Sequence, residues 1–129
     1  MKALPDTNAL SALWNGDERV LDALGEAERV FISIIVLGEL FAGFRGGTRL
    51  KENRARLAGF LAKPTVRTLE LSTETAEVYG QIKDALKKAG TPVPINDVWL
   101  SAQAIETGSV LITFDNHFGN VPGVRLWDP

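Results

Sequence analysis

The chain has 129 residues, 45% of them apolar, with no cysteine and one histidine; this allows one hydrophobic core and excludes both a disulfide framework and a thiolate or multi-histidine metal site within one chain. Any metal must be held by oxygen. The net charge of −2 and pI near 5.4 lack the basic footprint of a nucleic-acid binder, yet neutralising four particular acids with cations would turn the balance positive, and basic residues cluster at Arg45, Arg49, Lys51, Arg54 and Arg56.

In chain order, short apolar runs alternate with longer helical stretches, the pattern of a parallel sheet covered by helices. The expected fold is α/β: a single three-layer domain over residues 1–129, with a central parallel sheet in the order 3-2-1-4-5. A strand is predicted at Lys2–Pro5 and a helix at Thr7–Trp14. Asp17 starts a helix over Glu18–Leu24. A strand at Val30–Ser33 feeds a helix over Ile35–Phe44, stopped by Gly46-Gly47. Thr48 opens a helix to Ala62, and Val66–Leu71 reads as the third strand. Ser72-Thr73 opens a helix over Thr73–Ala89, stopped by Gly90, and Asn96 opens another to Thr107, stopped by Gly108. Strands at Val110–Thr113 and Val124–Trp127 complete the series. No run approaches the roughly 18 apolar residues of a membrane span, and no positively flanked apolar stretch precedes Asp6, so a soluble, cytoplasmic protein with no membrane partner is expected.

In open parallel sheets, sites form beyond the carboxyl ends of the strands where the strand order reverses. Asp6 ends the first strand, Asp115 follows the fourth, and Asp97 opens the helix that feeds the fourth. Glu39 lies about one turn into the helix after the second strand, near the same edge. Four carboxylates gathered there cannot all stay ionised without a cation between them, and oxygen donors suit hard ions such as Mg²⁺ or Mn²⁺. Singly, three have plain explanations: Asp6 as a helix cap, Asp97 as a partner of the helix dipole, Asp115 as a turn residue. Glu39 is harder to dismiss, because Ile35, Val36, Leu37, Leu40, Phe41, Ala42 and Phe44 surround it on its helix and its charge needs a partner or a metal. The shared edge favours one site. His117, beside Asn116 and before Phe118-Gly119, reads as a surface or turn residue rather than a general base. Phe41 and Phe44 precede Arg45, Arg49, Lys51 and Arg54; core aromatics and a solvated basic face are the plain reading, and a contact surface for RNA or a partner peptide is the functional one.

Five segments then carry a family resemblance: Leu4-Pro5-Asp6-Thr7-Asn8; Ser33 through Glu39-Leu40 with Phe41-Ala42-Gly43; Pro94-Ile95-Asn96-Asp97-Val98-Trp99-Leu100; Leu111-Ile112-Thr113-Phe114-Asp115-Asn116-His117-Phe118; and Val121-Pro122-Gly123-Val124. In this order and spacing they resemble the PIN-domain ribonucleases, and among them the VapC toxins of VapBC toxin–antitoxin pairs. The resemblance spans almost the whole chain. It implies a Mg²⁺- or Mn²⁺-dependent endoribonuclease with Asp6, Glu39, Asp97 and Asp115 as metal-binding and catalytic acids, and with Asn8 and Thr113 orienting carboxylates or water. It further implies structured RNA such as tRNA or ribosomal RNA as substrate, a cognate VapB-type antitoxin as inhibitor, a homodimer, and a hetero-oligomer with the antitoxin. Asp6 and Asp97 are then expected as direct ligands, Asp115 as a direct or water-mediated one, and Glu39 as the group that orients or deprotonates the attacking water.

Two residues depart from the family pattern. Pro5 stands where members usually carry an aliphatic residue, and proline deletes an amide donor from a central strand. A cost in stability or a displaced Asp6, with weakened activity, is expected, in the extreme a module that only binds antitoxin or RNA. Ser101, where the family often has alanine, is expected to matter little. Other acidic Mg²⁺ pockets on parallel sheets fit less well: a receiver domain wants paired acids near its first strand, a haloacid-dehalogenase-like phosphatase wants aspartate where this chain has Asn8, and a flap-type nuclease needs more chain.

Overall fold

Five short apolar segments form one all-parallel sheet in the computed structural model, which describes residues 1–129. They are β1 (Lys2–Pro5), β2 (Arg29–Ser33), β3 (Val66–Leu69), β4 (Val110–Ile112) and β5 (Arg125–Leu126), in the order β3-β2-β1-β4-β5. Six helices connect them: α1 (Thr7–Trp14), α2 (Glu18–Glu26), α3 (Ile34–Gly46), α4 (Leu50–Leu61), α5 (Thr73–Ala89) and α6 (Ile95–Thr107). This is the expected α/β topology. β1 takes the centre because Ala3 and Leu4 are fully buried, and a strand that apolar needs cover on both faces. β5, whose two residues are exposed, lies at the edge. No helix is long and apolar enough to cross a membrane.

Element ends differ from the predicted ones for local reasons. α3 starts at Ile34, one residue early, because the Ser33 hydroxyl accepts from the Ile35 N–H at 3.0 Å and caps the helix. α4 starts at Leu50 rather than Thr48; Arg49 occupies the cap without a side-chain capping bond and pairs instead with Glu52. α6 starts at Ile95, behind Pro94, whose fixed φ suits a helix entry. β5 keeps only two residues because its register with β4 ends at Leu111↔Leu126. A 3₁₀ turn over Asn116–Asn120 was not predicted, since five residues carry no usable periodicity.

Pro5 leaves the sheet intact. The amide that follows it, Asp6 N–H, donates to the Ile112 carbonyl at 3.0 Å, so the ladder between β1 and β4 runs past the proline. On the other side the β1–β2 register ends at Ala3↔Val30, so the missing donor falls beyond the paired stretch. The ladder that positions Asp6 is therefore continuous through Pro5.

Two apolar clusters hold the layers together. The larger joins the sheet to α1, α2, α3, α4 and the Leu100 and Ala104 face of α6. The smaller joins Ile82 and Leu86 of α5 to Val98 and Ala102 of α6, with Val93 and Val121, and Tyr79 stacks on Trp99 beside it at 4.0 Å. α6 is thus gripped on two faces, which fixes where its first turn, and Asp97 with it, emerges.

Candidate active site

Asp6 leaves β1 in an extended conformation and caps α1. Its Oδ1 accepts from the Ala9 N–H at 2.8 Å and its Oδ2 from the Thr113 hydroxyl at 2.5 Å. Thr113 Oγ1 in turn accepts from the Asp115 N–H at 3.0 Å, so one buried hydroxyl ties the first acid to the backbone of the last. Capping and site-forming roles coincide here. Burial pushes the Asp6 carboxyl above the ordinary range; the Thr113 and Ala9 bonds pull it back, and the charges of Asp115 and Glu39 push it up further.

Glu39 is placed otherwise than its apolar surroundings suggested. It is exposed, with only one bond, accepted from the Thr7 hydroxyl at 2.7 Å. The inference of a buried charge fails because α3 also exposes apolar side chains: Ile34 is 42% and Phe41 38% accessible. Glu39 therefore reaches the site from the solvent side.

Asp97, in the first turn of α6, and Asp115, just after β4, meet His117. The imidazole Nε2 hydrogen-bonds Asp97 Oδ2 at 2.7 Å, and Nδ1 stands 2.8 Å from Asp115 Oδ1. His117 lies on a turn, as read from the sequence, and beyond that reading it contacts two of the four acids. Its signal was slight: one histidine two residues after an acid. Burial raises the Asp97 carboxyl, His117 lowers it by hydrogen bond and charge, and Glu39 and Asp115 raise it again. Ser101, of which little was expected, is fully buried and donates its hydroxyl to the Asp97 carbonyl at 2.7 Å.

Asp6, Thr7, Asn8, Glu39, Asp97 and Asp115 line one pocket of about 170 Å³, with no apolar and no basic lining side chain. Asn8 is exposed at its wall. The convergence read from sequence therefore holds in space. No three of the acid or imidazole groups stand together at ion-gripping geometry; Asp6 is turned to Ala9 and Thr113, Glu39 to Thr7, and Asp97 and Asp115 to His117. The lining and the donor geometry thus point differently, and the lining is the firmer guide, because carboxylate rotamers reorient far more easily than backbones. Glu39 Oε2, Asp97 Oδ1 and Asp115 Oδ2 each take no hydrogen bond from the protein. An all-oxygen, net-negative donor set without lysine or arginine fits a hard divalent cation.

The basic stretch falls on α3 and α4. Phe41 lies under the Arg54 guanidinium at 5.7 Å and meets the edge of Phe44 at 6.1 Å. Phe44 itself is buried and has no surface to offer a partner. Arg49 is paired with Glu52, while Arg45, Lys51 and Arg54 are exposed.

A family model described as the PIN domain matches residues 3–124. The chain is 30% identical over 131 aligned residues to the tRNA(fMet)-specific endonuclease VapC of Salmonella typhimurium, across 99% of this chain and 98% of that protein. It is 28% identical over 118 residues to ribonuclease VapC5 of Mycobacterium tuberculosis, across 92% and 86%. Among solved structures, a chain in the crystal structure of DNA-bound VapBC from Salmonella typhimurium matches with a TM-score of 0.87 at 30% identity, over 99% of this chain and 98% of that one. A chain of VapBC-1 from nontypeable Haemophilus influenzae gives the same TM-score at 23% identity, over 99% and 98%, a likeness of fold.

Proposed function

Because this chain belongs to the PIN-domain family, we propose that it is the VapC-type ribonuclease toxin of a toxin–antitoxin pair, acting as one domain over residues 1–129. In this reading it hydrolyses RNA phosphodiester bonds with bound Mg²⁺ or Mn²⁺. The observation that carries the reading is the pocket between β1 and β4, lined by four acids and no basic side chain.

Asp6, Asp97 and Asp115 would hold the ion. When bound, it supplies a more acidic water, shielding of the phosphoryl oxygens and stabilisation of the leaving oxygen. Asp6 is preorganised, with Ala9 and Thr113 fixing its plane and Thr113 also fixing the Asp115 amide. Glu39 is exposed and held at Oε1 alone, which leaves Oε2 to orient the attacking water and take its proton. Asn8, at the pocket wall, is a hydrogen-bond partner for that water.

Structured RNA, tRNA or ribosomal RNA, is the proposed substrate; the Salmonella relative named as a tRNA(fMet)-specific endonuclease supports the first. A VapB-type antitoxin is the proposed inhibitor, and a homodimer that joins it in a hetero-oligomer the proposed assembly, supported by relatives solved as VapBC complexes. Phe41, Arg45, Lys51 and Arg54 are the proposed contacts for RNA or antitoxin. The rival reading, an inert binding module, rested on Pro5; the Asp6 N–H bond to the Ile112 carbonyl, which carries the ladder past the proline, weighs against it.

The test is cleavage of total tRNA and ribosomal RNA by purified protein with Mg²⁺ or Mn²⁺ against EDTA, alongside Asp97→Asn. Discrete cuts lost with EDTA and with Asp97→Asn are the expected result. Absence of metal-dependent cutting by the parent protein would transfer the reading to the binding module.

A further inference from the structure

We infer that His117 is a positioning residue, which engages one oxygen of Asp97 and so leaves the other to the pocket that Asp97 lines. The inference rests on the metal-ribonuclease reading above. His117 Nε2 makes the in-line hydrogen bond to Asp97 Oδ2 at 2.7 Å, while Nδ1 lies 2.8 Å from Asp115 Oδ1. One ring therefore spans two acids delivered by different elements, α6 and the segment after β4. With both nitrogens against carboxylates, neither is turned to a water, so the ring does not serve as a general base.

The ring is also mounted rigidly. It lies against the Phe118 ring at 4.7 Å, and Phe118 is buried in the larger core. The 3₁₀ turn that carries both is closed by the Val121 N–H to the Phe118 carbonyl at 3.1 Å, and Val121 belongs to the smaller core. A turn anchored in both clusters thus presents the imidazole to Asp97, whose own backbone is fixed by α6 but whose side chain has no other protein hydrogen bond. Groups that orient a ligating carboxylate typically change metal affinity or activity about 10- to 100-fold when removed.

Calorimetric titration with Mn²⁺ of the parent protein and of His117→Ala, His117→Gln and His117→Asn tests this, with RNA cleavage measured in parallel and melting in EDTA as the control for folding. His117→Ala is expected to bind Mn²⁺ about 10- to 100-fold more weakly. The Gln amide nitrogen reaches the place of Nε2 and should restore most of the affinity, whereas the shorter Asn, which mimics Nδ1, should not. Equal or tighter binding by His117→Ala, or equal behaviour of the Gln and Asn variants, overturns the positioning role while leaving the ribonuclease reading intact. Failure of the parent protein itself to bind Mn²⁺ overturns that reading, and this inference with it.

Discussion

Asp6 and Glu39 line the same pocket, yet they are held in opposite ways. Asp6 is 7% exposed, bonded at both oxygens, and inseparable from the end of β1 and the cap of α1. Glu39 is a solvent-facing helical side chain with one bond to Thr7. The strand side of the pocket is buried, bonded at both oxygens and costly to keep charged; the α3 side is solvated, held by one bond and inexpensive. That division suits a site in which one group fixes an ion and another moves a proton, and several perturbations can break or sharpen it.

The largest effect is expected from Asp6→Asn, which keeps an oxygen for the cap but removes the charge. Mn²⁺ affinity and RNA cleavage should each fall by more than about 100-fold, beyond the range for residues that merely orient a ligand, as calorimetry and gel assays would show. Thr113→Val comes next: it leaves a buried carboxylate oxygen and the Asp115 amide without their partner, costing about 1–3 kcal/mol in urea unfolding and about 10-fold in Mn²⁺ affinity. If Thr113→Val is neutral in both, the strand side is not preorganised.

Acidity is a gentler probe of the same side. The folded protein holds protons on Asp6 and Asp97 more tightly than the unfolded chain does, so in EDTA their contribution to stability is largest at low pH and is lost as pH rises through their raised values. With Mn²⁺ present the sign reverses, since ligation needs the ionised forms. Melting curves of the parent and Asp6→Asn, with and without metal, should converge at the acid end in EDTA. On the α3 side, Thr7→Val should change stability by less than about 0.5 kcal/mol and lower kcat with little change in Mn²⁺ affinity. Smallest of all, Arg54→Ala should leave metal affinity untouched and reduce the salt dependence of RNA binding by about 0.7 in log–log slope, the share of one phosphate contact on a single strand.

The same division explains what was legible in the sequence. Asp6, Asp97 and Asp115 stood at the ends of apolar segments, where period and punctuation are strongest, and the strand order brought those ends together. Thr113 and Asn8 were named through the family resemblance alone; Thr113 bonds Asp6 and the Asp115 amide, and Asn8 lines the pocket. Glu39 was placed at the correct edge by its position one turn into the helix after β2, but its burial was misjudged: a helix surrounded by apolar letters reads as buried, while Ile34 and Phe41 face solvent on it. The contact of His117 with Asp97 was not legible because the two lie 20 positions apart and the turn has no period, while Phe44 follows the plain reading of a core aromatic rather than the contact surface offered beside it. Residues that act through tertiary neighbours leave little trace in their own neighbourhood.

The bond between Asp6 and Thr113 joins residues 107 positions apart, and β1 finds its partner β4 only near the other end of the chain. During synthesis Asp6 emerges well before the helix bearing Asp97 and the strand that β1 needs on its open side, and it waits for both. A nascent or prematurely ended chain lacking β4 has neither Asp115 nor the completed sheet edge, so it cannot assemble the pocket. In the ribonuclease reading proposed above, this connectivity acts as a check on timing: the pocket closes only after Thr113 and Asp115 have left the ribosome.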